Sequence, residues 1–599
     1  MANKPYQEAK EAALTSSPES GSLDSNPFGV TEPIYDEQLG PRPNVFHRVW
    51  DSFKQDPNQK ARAAGAGGNV FDVERAAQNT ADSPLARKLK GRHLQMIAIG
   101  GSIGTGLFVA SGKSLSNGGP ASVLIAYSLI GMMLFCTVQA LGELAVIFPV
   151  AGSFSAYSTR FLDPGWGFAM GWNYAMQWLI VLPLEVVAAA ITVQYWNVSV
   201  SPAAWVAIFL TIIISINFFG VRAYGEAEFV FSIVKVIAVI GFIVLGIVLN
   251  IGGGPSGEYV GGKYWHYPGA FNNGFKGLCS VFVTAAFAFA GTEFVGLAAA
   301  ETANPRKSLP TAVKQVFWRI ALFYVVSLTL VGLLVPYNDG RLIGSSSSDA
   351  KASPFVIAIE NAGIKGLDSI MNVVIMISVI SVGNSSVYGS SRTLAALAEQ
   401  SQAPKIFAYI DREGRPVMAI LLASAMGFIA FLAASEAEQK VFLWLQALSG
   451  LSSIFTWGSI CLSHIRFRRA WKQQGHTLDE LAFRSQAGVI GSWIGFLFNI
   501  LVLIAQFWVG IAPVPDSDGT RITGAVPLVQ NFFQLYLAVP VVLLFYVPYK
   551  LLYKTPFMRA KDMDLKTGRR ELNLRELLLE EDLEKATWPK WKEAYKLVC

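Results

Sequence analysis

Apolar runs of roughly 20 residues recur along the chain from about His93 onward, divided by short polar stretches. A helix of that length spans a hydrocarbon core of about 30 Å. The pattern predicts an all-α polytopic membrane protein of about 12 transmembrane helices. They begin near His93, Pro120, Trp166, Ser201, Glu226, Phe275, Ala312, Gly366, Pro416, Lys440, Ala487 and Val526. Residues 1–85 are rich in Ser, Pro, Gly, Asn and Glu, lack apolar periodicity and read as a disordered tail. With no apolar h-region among its first residues, that tail is expected to stay in the cytosol. Residues 86–548 then form the membrane domain, and residues 549–599 a charged cytosolic C-terminal tail.

Charge supports this orientation. Arg87, Lys88, Lys90 and Arg92 stand just before the first run, which places the N-terminus inside by the positive-inside rule. An even number of spans returns the C-terminus to the same side. Loops expected inside carry Arg222, Arg306, Lys307, Arg392, Lys405, Arg412, Arg415, Arg466, Arg468, Arg469, Lys472 and Arg484. Loops expected outside carry Asp339, Asp516 and Asp518 with fewer cations. The net charge, 48 − 42 = +6, is thereby explained by membrane orientation, and no nucleic-acid partner is expected.

Only 15% of residues are charged, against about 25% in soluble domains. Cys136, Cys279, Cys461 and Cys599 are scattered without a CxxC pair, and the five histidines lack metal-ligand spacing. Neither a disulfide framework nor a metal site is expected, and no cofactor. No nucleophile–base pair lies within the spans, so an enzyme is not expected either.

Two spans carry interruptions. The first contains Ile99-Gly100-Gly101-Ser102-Ile103-Gly104-Thr105-Gly106-Leu107-Phe108, and the sixth contains Phe287-Ala288-Phe289-Ala290-Gly291-Thr292-Glu293. Each glycine weakens a helix by about 1 kcal/mol relative to alanine. Unwound backbone at bilayer depth must face protein or a wet cavity. The first and sixth spans occupy matching places in two five-span halves, which points to a 5+5 inverted repeat with a midplane site. A broken helix frees positive N–H ends and negative C=O ends. A zwitterion fits such a pair: its carboxylate on the amides around Gly101, Ser102, Ile103, Gly104, Thr105 and Gly106, its ammonium on the carbonyls around Ala288, Phe289, Ala290 and near Ile99. Gly291, Thr292 and Glu293 complete the second break. The glycine run resembles a phosphate loop but lacks the Lys-Ser/Thr and a preceding strand. Close helix packing is the other reading of such glycines.

Four ionisable residues lie deep in spans: Glu143, Glu185, Lys235 and Glu293. A charge at a helix centre costs about 2.5–3.5 kcal/mol on insertion scales, so each is a functional candidate. Lys235 suits a proton carrier, a fixed cation or a structural tether. Glu185 follows Pro183 and could take a substrate ammonium or basic side chain. Glu143 is expected to make a helix-end hydrogen bond. Glu293 either serves the site or holds the broken helix by accepting backbone N–H bonds. Phe289 is a gate over the substrate or a core aromatic. The sequon at Asn197 lies so near the membrane that it is expected to be unused.

The stretches GGSIGTGLFVASG, GELAVIFPVAGSF, WLIVLPLEVVAAAITVQYW, AFAFAGTEFVGLAAAETANPRKSLP and GNSSVYGSSRTLAALAEQSQAPKIF resemble fungal amino-acid permeases of the amino acid–polyamine–organocation superfamily. The likeness is closest to general amino-acid permeases and runs from about Leu89 to the C-terminal tail. It implies a LeuT-like fold of ten core helices plus two, and import of L-amino acids at the plasma membrane by proton symport. Glu185 falls where the family places a substrate-selecting acid, and Lys235 where proton-driven relatives carry a lysine. Narrow permeases for basic amino acids or proline, and non-transporting amino-acid sensors, are the alternatives. The resemblance also implies tails read by ubiquitin ligase and trafficking machinery, with endosomal recycling. Lys4 and Lys10 are ubiquitination candidates. The acidic di-leucine stretch at residues 576–581 and a palmitoylation candidate, Cys599, are the sharper readings of the C-terminal tail; a solvated tail with one amphipathic helix is the plainer one.

Overall fold

The computed structural model describes residues 50–56, 73–85, 88–101, 103–196, 199–255, 257–302, 305–342, 353–434, 438–515, 523–569 and 588–589. Lys4, Lys10, Ser102, Asn197, the 576–581 stretch and Cys599 lie outside them. Among the described residues the regular structure is helical, with two isolated bridges and no strand.

A helical segment stands at each expected span. The first is Gly91–Gly100, resuming after its break as Thr105–Phe108. It then runs into Ala110–Ile147, which kinks at Gly119, just before Pro120, and continues as the second span. The third is Pro164–Val193, the fourth Pro202–Phe218 and the fifth Val221–Asn250. The sixth is Gly274–Phe289 with Phe294–Ala298 after its break. The seventh starts at Pro305–Trp318, widens into a π-helical stretch over Arg319–Val326 and closes as Ser327–Leu334. The eighth is Leu367–Glu399, the ninth Val417–Gly427 with a tighter turn to Ala434, and the tenth Glu438–Gln473. The eleventh is Gly488–Ile511, and the twelfth is the pair Ala525–Tyr536 and Ala538–Tyr553, bent by 63°. Eight of these helices are long and apolar enough to cross a membrane, nine counting the bent pair. The fourth and ninth are shorter, and the first loses its length to the break.

Burial separates inner from outer spans. The apolar stretch of the third span is 89% buried, whereas those of the fifth and eleventh are 33% buried. The third therefore lies at the centre, alongside the eighth, while Ile237, Val244, Ile490 and Ile504 of the outer spans face outward. Asp163 starts the third span: its carboxylate accepts from Gly165 N at 2.8 Å, with Pro164 in the first turn.

Order begins earlier than the sequence suggests. Val73–Ala81 is a helix whose Ala76, Ala77 and Thr80 are buried, and Ala151 N donates to Thr80 O at 3.0 Å. Asn79 and Ser83 bond the end of the eighth span at Glu399, at 3.0 and 2.7 Å. Residues 73–85 thus correct the reading of a disordered tail to residue 85: small side chains on one helix face find a packing surface that composition does not reveal. At the other end, Met563 and Leu565 are buried, and Met558 N donates to Leu162 O at 3.0 Å.

Candidate functional site at the two helix breaks

The two interruptions meet. A Cβ on Gly106 would stand 2.2 Å from Ala288 Cα, and one on Gly104 would stand 2.4 Å from a methyl of Val382 on the eighth span. The close approach explains why the first break is written in glycine. The second break turns at Gly291, whose φ of 93° is a backbone conformation that suits glycine.

Carbonyls of the second break are partly engaged. Tyr324 donates its hydroxyl to Ala288 O at 2.7 Å. Phe289 O accepts from Thr292 N at 3.3 Å and from the Thr292 hydroxyl at 2.6 Å. A carbonyl has two lone pairs, so Ala288 O could still accept from a ligand cation, whereas Phe289 O already accepts two bonds. Thr292 also accepts from the guanidinium of Arg319, a buried cation at the start of the π-helical stretch. Such wide turns often stand at functional sites.

Beside the contact between the breaks is a small cavity lined by Thr105, Gly106, Trp178, Val181, Glu185, Phe287, Ala290 and Val382. The room it offers the centre of a water-sized sphere is ≈ 10 Å³, about that of one water. Thr105 donates its hydroxyl to Glu185 Oε2, while Glu185 Oε1 is buried without a partner among the described residues. A buried unpaired carboxylate oxygen costs free energy unless something supplies a donor. Of the residues singled out in the sequence, Thr105, Gly106, Glu185 and Ala290 come together here; Gly101 and Ile103 are buried beside them in the chain.

Three expectations are refined. The Phe289 ring points away from the cavity: it packs 4.2 Å from Tyr324 and 6.0 Å from Tyr127, measured between centroids. It is a core aromatic in this conformation, and the aromatics bordering the cavity are Phe287 and Trp178. Glu293 accepts from Gly291 N, the Tyr174 hydroxyl and Trp457 Nε1, each at 3.2 Å, which is the helix-holding reading. Glu143 accepts from Ser485 N at 2.7 Å and Arg468 at 2.8 Å, and lies 3.0 Å from His464 Nε2. It ties the second span to the tenth and to the loop before the eleventh rather than lining the cavity.

Lys235 is buried in a separate polar cluster. Its Nζ donates to Ser381 Oγ at 2.7 Å and lies 3.6 Å from Glu228 Oε1. Glu228 is absent from the sequence candidates because it sits near the start of its span, where a charge passes for a loop residue. The signal that finds it is spacing: seven residues before Lys235, on the same helix face. Arg392 corrects the opposite way. Assigned to an inner loop, it is buried within the eighth helix and pairs with Glu301 at 2.9 Å. Arg466, Arg468, Arg469 and Lys472 likewise belong to the tenth helix. Among the described residues no His, Cys, Asp and Glu group could hold a metal ion.

Residues 93–561 match the family described as amino acid permease. The chain is 58% identical to general amino-acid permease GAP2 of Candida albicans, over 95% of this chain and 96% of that one. It is 54% identical to general amino-acid permease GAP1 of Saccharomyces cerevisiae, over 92% of each. Cationic amino acid transporter 1 of Schizosaccharomyces pombe is 50% identical, over 95% of this chain and 93% of its own length.

Proposed function

The chain belongs to the amino acid permease family, and on that premise we propose that it imports L-amino acids across the plasma membrane by proton symport, with broad specificity. The observation that carries this reading is the unpartnered Glu185 oxygen in a cavity between the two helix breaks. The amides of the first break hold the substrate carboxylate. The carbonyls of the second break and Glu185 Oε1 hold its ammonium. Phe287 and Trp178 border the variable group, a role moved here from Phe289. Lys235 carries the coupled proton at a distance from the substrate. Both tails face the cytosol, where Lys4, Lys10 and Cys599 are the modification candidates for ubiquitin ligase and trafficking machinery.

The cavity holds about one water, so loading requires the spans to part. Opening to the outside admits amino acid and proton, closing occludes them, and opening inward releases both. One charge crossing 100 mV supplies about 2.3 kcal/mol. At about 1.4 kcal/mol per tenfold, that concentrates a neutral substrate roughly 50-fold.

A cationic specificity is the second reading, favoured by the same buried carboxylate, which also suits a basic side chain. One experiment separates them. Radiolabelled leucine uptake is measured at acidic external pH in cells lacking their own permeases, with and without a protonophore, against every other amino acid as competitor. Protonophore-sensitive uptake blocked by many competitors establishes the general symporter. Block by arginine and lysine alone, with little leucine uptake, establishes the cationic permease. Binding without uptake of any amino acid, at normal surface level, overturns both in favour of a sensor.

A further inference from the structure

Between the fifth and eighth spans runs a line of ionisable and hydroxyl side chains that the substrate cavity does not use. Lys235 and Glu228 are two turns apart on one helix face, and both side chains are 0% exposed. Their 3.6 Å separation is long for a direct hydrogen bond. Ser381 of the eighth span bridges it: its Oγ accepts from Lys235 Nζ at 2.7 Å and reaches Glu228 Oε1 and Oε2 at 2.8 and 2.7 Å. The hydroxyl has one proton, so it serves one carboxylate oxygen at a time. Farther along, Ser385 reaches Glu228 Oε2 at 3.4 Å, and the Tyr224 hydroxyl lies 3.1 Å from Ser385 Oγ. Tyr224 stacks on Tyr388, 4.3 Å between centroids and 3° from parallel. The Arg392 guanidinium stands 4.2 Å over the other ring, paired with Glu301.

Direction follows from chain order. Lys235, Glu228 and Tyr224 step toward the start of the fifth span, about 16 Å of helix. Ser381, Ser385, Tyr388 and Arg392 step toward the end of the eighth. Both ends lie on the side expected to be cytosolic. The other groups facing the cluster are Ser232 on the fifth span, which reaches Met96 O at 3.1 Å, and His93 of the first, against Gly225.

We propose that Glu228 is the proton acceptor for Lys235 and that Ser381, Ser385 and Tyr224 form the inward exit path for the coupled proton. This rests on the proton-symport reading. In the first transfer an N–H bond breaks at Lys235 and an O–H bond forms at Ser381 Oγ, as the hydroxyl's own proton moves to Glu228. An ammonium and a carboxylate become an amine and a carboxylic acid, which removes two charges from an apolar interior and makes the transfer inexpensive. In the second, Glu228 gives its proton to Ser385 Oγ, Ser385 gives its own to the Tyr224 oxygen, and Tyr224 gives its own to water admitted when the Arg392–Glu301 pair opens. The carboxylate is restored and one proton leaves inward.

The test uses the full chain reconstituted in vesicles, with radiolabelled leucine. Leucine–leucine exchange needs no net proton movement; uptake driven by an imposed pH gradient does. Glu228→Gln is expected to keep exchange within twofold of the unaltered protein and to lower gradient-driven uptake at least tenfold. A merely structural ion pair would lower both together, and that result overturns the proposal, as does unchanged driven uptake. Where Glu228→Gln does not fold, Glu228→Asp carries the same comparison: slowed driven uptake with exchange kept supports the relay, and parallel change or no change overturns it. If the unaltered protein exchanges leucine but draws nothing from the pH gradient, proton symport itself is overturned, a failure distinct from that of the relay alone.

Discussion

Gly106 and Ala288 place the two broken spans in backbone contact: a Cβ on Gly106 would lie 2.2 Å from Ala288 Cα, where ordinary contacts are 3.4–4 Å. The atom met is main chain, so no rotamer change relieves it. Closing of the site therefore depends on a position with no side chain.

Gly106→Ala is expected to force the breaks apart and lower leucine uptake at least tenfold at equal surface level. Overpacking of this kind costs about 1–3 kcal/mol. Uptake at the normal maximal rate would show that the spans close without this contact.

Glu185→Gln keeps the shape of the side chain and removes its charge. Leucine's half-saturation is expected to rise at least tenfold, and arginine and lysine to weaken as competitors by a similar factor, because the lost charge faces the ammonium common to all of them. A loss confined to arginine and lysine would assign Glu185 to a basic side chain instead of the shared ammonium.

Lys235→Met is expected to abolish accumulation above equilibrium while leaving leucine binding measurable. The readout is the ratio of internal to external leucine in cells with a confirmed surface signal. A normal ratio rules out Lys235 as the coupling residue.

Phe287 and Phe289 are two residues apart and face different surroundings. Phe287→Leu is expected to change the order of preference among competing amino acids. Phe289→Leu is expected to keep that order and lower thermal stability, by about 1 kcal/mol for the lost ring contacts with Tyr324 and Tyr127. A changed preference order in the second variant alone would return the gate to Phe289.

Much of the architecture is legible in the sequence because bilayer thickness sets run length and glycine clusters mark breaks. The apolar runs locate a helical segment at each expected span, and Gly104, Gly106 and Gly291 locate the interruptions. Charges at span ends are less legible. Glu228 and Arg392 lie where a helix and a loop carry the same residue types, and only their partners, Lys235 with Ser381 and Glu301, show them buried. Arg319 lies in the middle of the seventh span and is absent from the sequence candidates, and its partner Thr292 belongs to another span. The facing of Phe289 was not readable either. The helix continues through Phe289 before the chain turns at Gly291, and the sequence does not show on which side of that boundary Phe289 falls.

The narrowness of the cavity at Glu185 has a consequence for selectivity. If the conformation that admits a ligand is only a fraction of the population, every apparent affinity is weakened by that same fraction. Such a factor cancels whenever two amino acids compete. Substitutions that merely loosen the closed arrangement without lining the cavity should therefore tighten or weaken all substrates in parallel, leaving their ranking intact. Only side chains that touch the ligand can reorder that ranking, so breadth of specificity and overall affinity are separately adjustable in this protein.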